Sequence, residues 1–112
     1  MAPVILNRKL ILEAAQRSPD GAGGYAETWI MLGTLWAAIR AGTGREAAGE
    51  AVSLSRTRFR ILVRAAPHGA PSRPRPEHRL REGARLFRIL SVAEHDAAGR
   101  YLVCHAEEEV AA

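Results

Sequence analysis

Residues 56–64 read Arg56-Thr57-Arg58-Phe59-Arg60-Ile61-Leu62-Val63-Arg64. Side chains along an extended chain alternate between two faces, so Phe59, Ile61 and Val63 share one side and Arg58, Arg60 and Arg64 share the other. A segment divided in this way is a half-buried strand, with one face on a core and one in water.

Working outward, Arg85-Leu86-Phe87-Arg88-Ile89-Leu90-Ser91-Val92 and Tyr101-Leu102-Val103-Cys104-His105-Ala106 also have strand composition. The turn-forming His95-Asp96-Ala97-Ala98-Gly99 between them makes the pair a hairpin. Pro67, Pro71, Pro74 and Pro76 exclude a central strand from the segment that holds them and predict an extended, exposed loop. Upstream, Arg45-Glu46-Ala47-Ala48-Gly49-Glu50-Ala51 favours a short helix, with Thr43 or Gly44 near its N-cap. Before it, Glu27–Leu32 and Leu35–Ile39 form one bent strand or two short ones, with Gly33 as a bulge or bend. Leu6–Leu12 is a further strand, ending before the turn formers Ser18–Gly24. The expected fold is mainly β: a small antiparallel barrel or sandwich of five or six strands with one short helix and long loops. It is expected to form a single domain over residues 1–112.

The composition, 47% hydrophobic and 25% charged, is that of a globular chain. Trp29, Trp36, Phe59, Phe87 and Tyr101 are the aromatic residues expected to anchor a core otherwise built from Leu, Ile, Val and Ala. No apolar run approaches the ~20 residues needed to cross a bilayer as a helix, so no membrane partner is expected and the protein is expected to be made and used in the cytosol. Cys104 has no second cysteine to pair with and reads as a buried strand residue.

The net charge of +4 is unevenly spread: ten arginines lie in residues 56–88 against Glu77 and Glu82, while residues 89–112 carry Arg100 against five acids. Alternating arginines on one strand face suit a DNA-facing surface, acidic residues of a neighbouring subunit, or plain solvent. Phe59 and Phe87 lie opposite the arginines, which argues against base stacking and leaves phosphate contact as the form any nucleic-acid binding would take.

No catalytic set emerges. His68, His78, His95 and His105 lack metal-ligand spacing, Gly42-Thr43-Gly44-Arg45 lacks the remaining residues of a phosphate-binding loop, and no serine sits in a nucleophile context. Neither an enzyme, a metal nor a cofactor is expected.

The order of elements carries more. A basic first strand, a loop with Asp20 and Gly21-Ala22-Gly23-Gly24, then Glu27-Thr28-Trp29 and Leu35-Trp36-Ala37-Ala38-Ile39 are followed by Gly44-Arg45-Glu46, the 59–64 strand, the 85–92 strand and Leu102-Val103-Cys104. This succession resembles the head-closure, or head–tail adaptor, family of tailed phages over nearly the whole chain, including prophages and gene transfer agents. The resemblance implies a barrel with a short helix, assembled as a hexameric ring between the portal-bound adaptor protein and the tail or tail-terminator protein, retaining double-stranded DNA and passing it on ejection. It further implies that Gly42, Thr43, Gly44, Arg45, Glu46, Glu50, Ser53 and Ser55 belong to a channel-narrowing segment; Arg58, Arg60, Arg73, Arg75 and Arg79 are then candidates for contact with DNA phosphate or with acidic groups of an adjoining ring. The Pro- and Arg-rich stretch from Pro67 to Pro76 departs from the family pattern. The rival reading is a small basic β-barrel that binds nucleic acid as a monomer.

Overall fold

The structure, a computed structural model, describes residues 3–42 and 56–109. Six strands run as β1 (Arg8–Pro19), β2 (Tyr25–Ala41), β3 (Arg56–Arg64), β4 (Arg79–Glu82), β5 (Arg85–Glu94) and β6 (Tyr101–Glu109). All pairings are antiparallel, and the sheet closes on itself in the order β1-β2-β3-β6-β5-β4. It is an irregular barrel, because β4 supplies only four residues and its seam with β1 rests on the pairs Ile11–Arg81, Leu12–Leu80 and Glu13–Arg79. The helix expected over residues 45–51 lies outside the described residues.

Alternation sets the core. Leu10 and Leu12, Ile61 and Val63, Phe87 and Ile89, and Leu102, Cys104 and Ala106 point inward from their strands and are buried, joined by Ala37 and Leu80. Each large apolar side chain so buried stabilises the fold by roughly 1.5–3 kcal/mol. The aromatic residues depart from expectation. Phe87 alone is fully buried, edge-on to the partly buried Phe59 with ring centroids 5.4 Å apart, whereas Trp36 stands on the outer face with 55% of its surface exposed.

Both early strands are longer than their sequence pattern indicates, and Glu27–Ile39 belongs to one continuous strand. Leu12 faces Gly33 but Glu13 faces Met31, so Leu32 is the extra residue of a bulge beside Gly33, where a bulge or bend is expected. Past the bulge, Ala14–Pro19 and Tyr25–Ile30 pair only with each other and extend beyond the barrel as a two-stranded arm, with Met31 at its root opposite Glu13. Its turn is held by the Asp20 carboxylate, which accepts from the amides of Ala22 (2.8 Å) and Gly24 (3.0 Å), while Gly21 and Gly23 take the positive φ that the turn requires.

The Pro-rich segment is the largely exposed loop its sequence suggests, but it is not extended. It folds into successive turns, with Ala70 N–H donating to Pro67 O and Arg73 N–H to Ala70 O at 3.0 Å each, and Pro74 is fully buried.

Candidate functional site

Charge is organised on two levels. Inside, Arg8, Glu82, Arg85 and Glu108 occupy inward positions two residues beyond Leu10, Leu80, Phe87 and Ala106 and close one end of the barrel. Arg8 forks onto Glu82 at 2.6 and 2.7 Å, and Arg85 forks onto Glu108 at 2.8 and 3.0 Å. The Arg85 guanidinium also stands 4.9 Å from the centre of the Phe87 ring and 5.6 Å from that of Phe59, so the plug seals the apolar core below it.

Outside, one row of facing residues runs across the strands as Arg58, Glu107, Arg88, Arg79 and Glu13. Its members are ion-paired to one another or to the adjacent Arg81 and Glu77: Arg58 to Glu107 at 3.2 Å, Arg79 and Arg81 to Glu13 at 2.6 and 3.0 Å, and Arg88 to Glu77 at 2.7 Å. The next row is different. Arg40 faces Arg60 and Arg60 faces His105, with no carboxylate of the described residues paired to either arginine.

The expected contact arginines are therefore not one patch. Arg79 is committed to Glu13 and lies 4.0 Å above the Trp29 ring, and Arg73 donates to Ala66 O at 2.7 Å. Arg75 is exposed, with its backbone N–H on His78 Nδ1 at 3.3 Å. Arg58 is paired but 58% exposed, and Arg60 has no ion-pair partner among the described residues. Nothing in the sequence singles out Arg40 or His105, which only strand register places beside Arg60. Of the expected channel segment, Gly42 is described and 43–55 lie outside. Gly42 N–H donates to Arg58 O at 2.8 Å, and a Cβ there would sit 2.9 Å from that oxygen, so β2 and β3 approach too closely for another residue where the segment leaves the barrel.

Nothing in the described residues resembles a reaction centre. No group of three or more His, Cys, Asp or Glu residues there could hold a metal ion, and burial pushes the Cys104 thiol up to about 12, which leaves it an inert core residue.

The ion pairs carry a pH signature. Hydrogen bonds from Arg8 hold Glu82 below the ordinary glutamate value, and those from Arg85 do the same for Glu108; at Glu13 burial acts upward but is outweighed by Arg79 and Arg81. Burial, reinforced by Arg75, lowers the His78 value. In every case the unfolded chain binds the proton first as pH falls, so the folded state loses stability on acidification. Thermal melts should show a small loss starting below about pH 6.5, the ordinary histidine value, and a steeper one below about pH 4.3, the ordinary glutamate value. A melting temperature unchanged between pH 5 and 3 would contradict the ion-pair assignment.

Phage head completion proteins match the chain over residues 1–109. The chain belongs to that family. Family membership makes this head completion protein a structural component of particle assembly and not an enzyme. Among solved structures, it is 58% identical to a chain in the virion of a native gene transfer agent particle, with a TM-score of 0.79 and coverage of 96% of this chain and 98% of that one. The solution structure of a protein from Shigella flexneri 2a shares the fold at 21% identity, with a TM-score of 0.68 over 96% of each chain. Among curated proteins, none matches the chain.

Proposed function

We propose that this head completion protein is a head-closure subunit in the neck of a gene transfer agent or phage-like particle. Acting as one domain, it forms a ring of six between the portal-bound adaptor and the tail or tail terminator, retains packaged DNA and lets it pass on ejection. The observation that carries this reading is the 58% identity, over nearly the full length of both chains, to a component of a gene transfer agent virion. The rival, a free-standing nucleic-acid-binding module, is not favoured, because Arg58, Arg73 and Arg79 are engaged within the chain.

Deletion of the gene from a producing strain tests the proposal. Filled heads should accumulate without tails and release their DNA to added nuclease, and expression of the chain in trans should restore tailed, nuclease-resistant particles. Tailed, DNA-protecting particles at the parental titre in the deletion strain would overturn the proposal.

A further inference from the structure

A two-stranded hairpin is marginally stable in water on its own, and native proteins rarely leave a long strand edge and large apolar side chains uncovered together. The arm does both. Tyr25 and Met31 on β2 are 68% and 64% exposed, and Ile30 is 45% exposed. Between them stands the exposed carboxylate of Glu27; its cross-strand neighbour Arg17 lies instead over the Tyr25 ring, 5.7 Å from its centre. From Ser18 to Ile39 the chain contains Asp20 and Glu27 and no basic residue.

The other end of β2 has the opposite character. Arg40 and Arg60 face each other, and like charges placed directly opposite on neighbouring strands repel. Trp36 projects from the same face as Arg40, four residues before it, with its neighbour Ala37 buried in the core. Glu27 and Met31 are likewise four residues apart on one face. At ~3.3 Å per residue both spacings are about 13 Å. One patch thus presents the Glu27 carboxylate and exposed Met31, with Trp29 and the Glu13-paired Arg79 between them, and the other a positive charge and an exposed apolar side chain at the same separation.

We propose that the arm of one copy docks on the outer β2–β3 face of a second copy, with Glu27 against Arg40 and Arg60 and with Met31 against Trp36. Each copy carries both patches, so the contact can repeat head-to-tail, and it closes into a ring when its rotation divides a full turn. It builds on the neck reading above and supplies the subunit contact which that reading needs. The contact relieves the repulsion between Arg40 and Arg60 and covers the two exposed apolar side chains.

Reversing charge on each side tests it. Like charges forced together at an interface cost several kcal/mol, which is more than a tenfold loss of association. In a strain whose own copy is deleted, Glu27→Arg should lower incorporation into purified particles more than tenfold, and Arg40→Glu with Arg60→Glu should do the same. All three substitutions together should restore most of it. Circular dichroism melts of each purified chain establish that the variants fold. As an independent readout, Met31→Cys with Trp36→Cys should give subunit multimers in particles treated with a short bis-maleimide, against the background of the inert Cys104. Normal incorporation of Glu27→Arg, or a triple variant no better than its parents, overturns the contact. If only the arginine variants fail, the basic face meets another polyanion, such as DNA phosphate, and the contact is again overturned. A deletion strain with parental titre would remove the neck reading itself, so the two failures are separable.

Discussion

Phe87→Ala should lower the free energy of unfolding by about 3–5 kcal/mol, the cost of a large cavity in a packed core. Phe87 is fully buried, edge-on to Phe59, and carries Arg85 on its ring. Its removal deletes apolar contact and also withdraws the floor beneath the plug, so that Arg85 and Glu108 would stand over a void. Since a domain of this size has only ~5–15 kcal/mol in total, the variant should be folded at low temperature at best. Urea denaturation followed by tryptophan fluorescence measures the loss, and a value below about 1 kcal/mol would show that Phe87 is not the keystone of the interior. Phe87→Leu, which keeps most of the volume, should cost less than half as much.

The second large effect is expected at the closing seam, where Glu13→Leu should destabilise the protein by about 2–4 kcal/mol. Breaking a buried ion pair by removing one partner costs ~3–5 kcal/mol, and the value is scaled down here because Arg79 and Arg81 keep access to water. Glu13 is 5% exposed and receives both guanidinium groups, at 2.6 and 3.0 Å, where only the pairs from Ile11–Arg81 to Glu13–Arg79 join β4 to β1. Loss of this one carboxylate leaves two like charges together at the narrowest part of the sheet. Amide exchange should therefore quicken first in β4 and in the middle of β1. Equal protection in variant and parent would show that the seam does not depend on Glu13.

Much of this fold is legible in the sequence, and the exceptions have physical causes. Period-two alternation in 56–64 and the hairpin of 85–106 describe their strands well, because each has one face on the core. The arm escapes that pattern since it buries little, and so Ala14–Pro19 lacks an apolar side to give it away. Trp36 was misplaced for a related reason: an aromatic residue inside an apolar run looks like core, and only the register that sends Ala37 inward turns it outward. Proline excludes regular strand and so predicts an extended stretch; that the segment turns back and buries Pro74 depends on its place in the folded chain. Local charge singles out the candidate contact arginines, but acids far along the chain claim Arg58 and Arg79, and Arg40 gains a neighbour of like charge only once β2 lies beside β3.

The plugged, filled interior has a geometric consequence. A barrel with no bore is a solid block, and a solid block cannot act as a pipe or widen like one. In the ring proposed above, blocks of this kind would bound a passage with their outer walls; its width would be set by how many stand in the circle and how they lean, and would change only when they move against one another.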